Sequence, residues 1–131
     1  EEEYLVSLIA DIKEILKIAR IKPTKIYVYT ADADTDNWKW EVFRAIKDLP
    51  ERDKIKEAMK LRKDKSTVDF VKRVAKSNLD YFELNEREIL KREKAYLTKE
   101  FGCEIGINEE HDPKGKRKFA IPLKPAIYVE E

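Results

Sequence analysis

The sequence predicts an α+β domain, with a small two- or three-stranded sheet packed against several amphipathic helices. Three observations carry that expectation. Apolar residues recur at helical spacing near the start, two short β-branched or aromatic runs stand far apart, and charged helical stretches fill the sequence between those runs. A strand, several helices and then another strand describe a crossover rather than a hairpin. The 131 residues, 42% of them apolar, can bury one modest core, and no repeat or flexible linker divides them. A single domain over residues 1–131 is expected.

From Tyr4 to Arg20 the set Leu5, Leu8, Ile9, Ile12, Ile15, Leu16 and Ala19 marks one face of a helix, with acids early and Lys17 and Arg20 late, as the helix dipole prefers. Pro23 stops it. Lys25-Ile-Tyr-Val-Tyr-Thr30 then reads as a buried strand. Residues 31–36 offer N-caps for a helix starting near Asp36, with Trp38, Val42, Ala45, Ile46 and Leu49 on one face until Pro50. Two shorter helical patterns follow, one at Ile55, Ala58, Met59 and Arg62, the other at Val68, Val71, Val74 and Ala75. Ser66 and Asp69 resemble a capping box for the second. Asn85 and Glu88 open a further helix, apolar at Ile89, Tyr96, Leu97 and Phe101 and closed by Gly102. Cys103 to Ile107 alternates as a strand, residues 108–118 form a loop, and Phe119 to Ile121 and Ala126 to Val129 are strand pieces. Pro122 and Pro125 make these last pieces irregular or edge-like.

Basic residues number 28 against 27 acidic ones, so the net charge of +1 argues for no partner and any electrostatic site must be local. The 42% charged content, with no glutamine and three glycines, resembles proteins from hot environments. Cys103 is the single cysteine, which rules out an internal disulfide and fits a reducing cytoplasm; there is no cysteine or histidine cluster for zinc. No apolar run approaches the roughly twenty residues of a membrane span. The chain opens at Glu1 without methionine, inside an apparent helix, which is the expectation for a piece of something longer; removal of an initiator gives the same start.

Catalytic and metal sites are not expected. His111 stands alone in a polar loop and reads as a solvated histidine rather than a base. Cys103 reads as a buried strand residue. Asp32, Asp34 and Asp36 share part of a calcium loop's spacing but lack its glycine and bidentate glutamate, so turns and caps are the better reading. No phosphate loop or dinucleotide fingerprint occurs. Trp38 matches the apolar stripe of its helix and is expected in the core, whereas Trp40 falls off it, and the sequence does not decide whether it is exposed for a base to stack on. Residues 51–76 carry ten cations with five acids interleaved, the pattern of a solvated helix surface. Lys114, Lys116, Arg117, Lys118 and Lys124 differ: five cations against the single acid Asp112, on a glycine-containing loop suited to a phosphate backbone.

Three patches together resemble the C-terminal domain of archaeal-type, and more distantly eukaryotic cytosolic, leucyl-tRNA synthetases. They are Tyr4-Leu-Val-Ser-Leu-Ile-Ala-Asp-Ile-Lys-Glu-Ile15; Lys22-Pro-Thr-Lys-Ile-Tyr-Val-Tyr-Thr30 with Trp38-Lys-Trp40; and Asp112-Pro-Lys-Gly-Lys-Arg-Lys118 with Pro122-Leu-Lys-Pro-Ala-Ile-Tyr-Val129. Between Asp48 and Glu93 the likeness is only one of helical, charged character. The resemblance implies an accessory domain appended to the anticodon-binding helical bundle of a class I synthetase, with the helix over residues 1–20 continuing from that bundle. It implies that the domain touches the long variable arm of leucine tRNA. Aminoacylation, with its ATP and magnesium, and editing would lie in other domains, leaving this fragment non-catalytic and without a cofactor. The family's extreme C-terminus reaches bases at the tip of the arm, which maps to Ile127, Tyr128, Val129, Glu130 and Glu131, while the lysines position the backbone. Leucine tRNA and the remaining domains of the same synthetase are the implied partners of a monomeric chain. The rival expectation is a protein-interaction module without an RNA role, whose charged helices or apolar tail dock a partner.

Overall fold

A computed structural model describes residues 2–31, 38–77 and 85–131. The turn and cap positions expected at Asp32, Asp34 and Asp36 lie outside these residues. The elements run α1 (Glu2–Ala19), β1 (Lys25–Tyr29), α2 (Trp38–Ile46), α3 (Glu51–Leu61), α4 (Lys65–Ser77), α5 (Glu86–Arg92), α6 (Lys94–Phe101), β2 (Glu104–Ile107), a 3-10 helix (Lys116–Phe119) and β3 (Ala126–Glu130). This is the expected α+β architecture, with a mixed three-stranded sheet in the order β2-β1-β3.

β1 pairs in parallel with β2, from Lys25 opposite Glu104 to Val28 opposite Ile107, and antiparallel with β3, from Lys25 opposite Glu130 to Tyr29 opposite Ala126. The parallel pair needs a crossover, and α2 to α6 lie between its two strands in the chain. Both faces of β1 are covered, which is why Ile26, Tyr27, Val28 and Tyr29 are all buried and the strand reads as an unbroken apolar run.

Two apolar clusters fill the interior. In the first, Tyr4, Leu8 and Ile12 of α1 and Ile89, Leu90 and Leu97 of α5 and α6 cover Ile26, Val28 and Ile105 on one sheet face. In the second, Trp40, Val42, Phe43 and Ile46 of α2 pack with Ala58, Phe70 and Val71, and are closed by Ile121 and Leu123. Each fully buried Leu or Ile contributes roughly 1.5–3 kcal/mol of transfer free energy. Glu86 ties α5 to α1 and α2: its buried carboxylate accepts the Tyr4 hydroxyl at 2.9 Å and the Trp40 indole N–H at 3.2 Å.

Four local expectations are corrected. Trp38, expected in the core, is half-buried and packs against its margin with Leu49, while Trp40 is 2% exposed and inside it, because the packed face of α2 keeps Val42 and Ile46 of the expected stripe and extends to Trp40 and Phe43 rather than to Ala45. The start of α4 is capped by Asp64, whose carboxylate accepts the Ser66 N–H at 3.1 Å, rather than by a Ser66–Asp69 pair. The helix expected from Asn85 to Gly102 is broken at Glu93, where φ −96° and ψ 8° separate α5 from α6. Phe119 belongs to the 3-10 helix and not to a strand, and Ile121 makes only an isolated bridge to Lys124 across a tight turn. The Asn85 cap, which accepts the Glu88 N–H, and the left-handed Gly102 at φ 64° are as expected.

Candidate nucleic-acid interface

The cationic loop is shaped by its one acid. Asp112 accepts the backbone N–H of Lys116 at 2.7 Å and of Arg117 at 3.1 Å, one to each carboxylate oxygen, so it caps the 3-10 helix. Gly115 precedes that helix with φ 63°, a left-handed conformation that glycine takes without strain. From α2, Lys39 Nζ donates to the carbonyls of Ala120 at 2.6 Å, Lys118 at 3.2 Å and Arg117 at 3.4 Å, tying the end of the 3-10 helix to the second cluster. The loop is thus a fixed element on the protein surface.

The expected cations do not share one role. Arg117 turns inward, donating to the Glu109 carbonyl, with its guanidinium carbon 5.3 Å from the Tyr29 ring centroid. Its Nε is buried without a hydrogen-bond partner among the described residues. Tyr29 beneath it donates to the His111 carbonyl, and burial pushes its hydroxyl up to about 12. Lys114, Lys118 and Lys124 are exposed, and Lys116 is half-exposed.

Lys116 and Lys124 meet two cations that the sequence assigned to a solvated helix face. Arg73 and Lys76 of α4, Lys116 and Lys124 line a groove of about 380 Å³, with Phe119, Pro125, Ala126 and Ile127 as its apolar part. Among the described residues no acid lines it. The guanidinium of Arg73 lies over the Phe119 ring, 4.1 Å from its centroid. Four cations around an apolar floor have the chemistry to hold a phosphate backbone by charge while leaving sugar or base an apolar surface. The only sequence signal for Arg73 and Lys76 was their helical i, i+3 spacing, which says nothing of what they face.

The C-terminal segment is a strand of the sheet. Ile127 and Val129 pack against the first cluster. Tyr128 lies on the opposite face, its ring centroid 5.7 Å from that of Tyr27 and 6.4 Å from the His111 ring. Burial raises the pKa of Tyr128, and the neighbouring Glu130 carboxylate adds to the effect. Glu130 makes a 2.7 Å contact with His111 Nε2, and its carbonyl accepts the Thr24 N–H at 2.8 Å. Glu131 alone extends past the strand, exposed. In the order β2-β1-β3, β3 is an edge, so alternate main-chain groups point away from the sheet.

Among the described residues no group of His, Cys, Asp or Glu is arranged to hold a metal ion, and no helix is long and apolar enough to cross a membrane. No family model matches the chain. The leucine–tRNA ligase of Pyrococcus abyssi is 39% identical to it over 99% of its residues. The chain is homologous to one segment of the archaeal leucine–tRNA ligases. That of Methanocaldococcus jannaschii is 39% identical over 98% of the chain, and that of Methanosarcina mazei 32% over 99%. The chain spans only 14–16% of the length of these ligases, a domain-sized piece of proteins named for joining leucine to tRNA. The groove and the edge strand are thus features of a segment homologous to part of those ligases.

Proposed function

We propose that this chain is the C-terminal accessory domain of an archaeal-type leucine–tRNA ligase, and that it binds the long variable arm of leucine tRNA. The groove of Arg73, Lys76, Lys116 and Lys124 carries this reading, because it concentrates charge of one sign on a nearly neutral chain, and it does so beside β3. Phosphates of the arm lie along the groove, with Lys114 and Lys118 exposed nearby in the same loop. The outward main-chain groups of Ile127 to Glu130, together with Glu131, meet bases at the arm's tip.

In this reading ATP, magnesium and the joining of leucine to tRNA belong to the rest of the ligase, which acts as a monomer in the cytoplasm. α1 continues the preceding helical bundle. Val6 and Ile18 on α1 are 64% and 73% exposed, which suits a helix that is partly covered by those other domains. The test is nuclease footprinting of leucine tRNA with this chain. Protection confined to the variable arm is expected; protection confined to the acceptor or anticodon stem would overturn the proposal.

A further inference from the structure

Arg73 and Phe119 also line a second concavity, an open cleft of about 570 Å³ bounded by α2, α4 and the 3-10 helix. Its volume is that of a small-ligand site. Its chemistry differs from that of the groove. Trp38 and Phe119 supply rings, each with a guanidinium over it: Arg62 stands 4.0 Å from the Trp38 centroid, and Arg73 stands 4.1 Å from that of Phe119. Arg62 is held in place by hydrogen bonds to Ser66 Oγ at 2.7 Å and Thr67 Oγ1 at 3.2 Å, and by Asp64 at 3.7 Å. Its stack on Trp38 is therefore set before a ligand arrives.

Asp69 and Asp112 line the cleft as well, and of its cations Lys39, Arg62 and Arg117 are already engaged by carbonyls or hydroxyls of the protein, so the cleft is less suited to a bare phosphate than the groove is. Asp112 is engaged by two backbone N–H groups, whereas Asp69 is exposed and offers a carboxylate to an amino or ring N–H donor. Rings and guanidinium planes for stacking, with one acceptor beside them, match an unstacked nucleobase. We propose that the Trp38 cleft takes one nucleobase of an RNA strand whose phosphates lie along the groove of Arg73, Lys76, Lys116 and Lys124. Arg73 lines both concavities, so the strand passes from one to the other at that residue. The inference rests on the RNA reading above and adds to it a base site away from β3.

The test uses the two tryptophans as reporters in the ¹⁵N-labelled chain. Trp40 is buried on Glu86 and serves as the internal control; the Trp38 signal is assigned by its loss in Trp38→Phe. The probes are a random-sequence single-stranded RNA hexanucleotide and an abasic strand of the same length. The base-containing strand is expected to shift the Trp38 indole N–H and the abasic strand to leave it in place. Trp38→Leu, which alters the cleft and not the groove, should, with the Trp40 signal intact, weaken the base-containing strand by about 5- to 100-fold and the abasic strand little. Equal movement of Trp38 by both strands, or no movement while the groove resonances shift, would overturn the cleft assignment and leave RNA binding at the groove standing. Silence at both sites would overturn the cleft assignment, while the arm reading stands or falls separately on the footprint of leucine tRNA.

Discussion

Arg73 of α4 stacks its guanidinium 4.1 Å from the centre of the Phe119 ring, joining a helix to a loop 46 positions later in the chain (119 − 73). The contact brings the cations of two distant segments into one groove. It explains how a chain of net charge +1 can present an unopposed basic surface.

Replacing Lys76 and Lys124 together by alanine should therefore act through charge alone. Both flank the groove, and Lys124 and Lys76 are exposed, so the fold should persist. The dependence of log K on log salt for tRNA binding should flatten by about 0.7–0.9 for each phosphate that is no longer neutralised. A salt titration of the double variant checks this, and an unchanged slope would count against the groove.

Glu86 should be among the least replaceable polar residues. Glu86→Ala leaves the Tyr4 hydroxyl and the Trp40 indole N–H buried without their acceptor, a destabilisation of about 2–5 kcal/mol in urea unfolding at constant m. Tyr4→Phe, which removes one donor together with its need for a partner, should cost about 1 kcal/mol.

Tyr29 gives the fold an alkaline limit. Burial holds its hydroxyl neutral to about pH 12 against an ordinary value of 10.0. The folded state thus keeps the proton that the unfolded chain releases. The corresponding stability is complete below about pH 10 and is lost as pH rises from there through 12. Tyrosinate absorbance should show a late-titrating group near pH 12 that is absent in Tyr29→Phe, with unfolding accompanying its ionisation.

Asp64 works in the opposite direction at acid pH. The Ser66 N–H, above all, holds its carboxyl below the usual 3.8, so its contribution to α4 is present above the ordinary carboxylate range and lost as pH falls through the lowered value. Asp64→Ala should remove that part of the acid dependence and fray the start of α4, seen as faster hydrogen exchange at Thr67 and Val68.

Much of the scaffold was legible because local pattern and tertiary structure agree. The apolar stripe of α1, the buried run of β1 and the caps at Asn85 and Gly102 each appear where their chemistry places them. The burial of Trp40 was not legible, because it rests on a long-range partner, Glu86, that helical periodicity cannot see. The break at Glu93 has no proline or glycine to announce it. For the candidate site, the loop cations were legible as a cluster, but Arg117 turns in onto Tyr29 and Arg73 and Lys76 join the groove only through the packing of α4. The terminal run from Ala126 to Val129 was legible as an edge-like strand piece and is the edge strand β3.

The most direct measurement is a salt-titrated affinity of this chain for leucine tRNA with its variable arm intact and for the same tRNA with the arm shortened. Tighter binding to the intact arm is expected, with a slope reduced in the Lys76→Ala/Lys124→Ala variant. Equal affinity for the two tRNAs at every salt concentration would contradict an arm-directed domain.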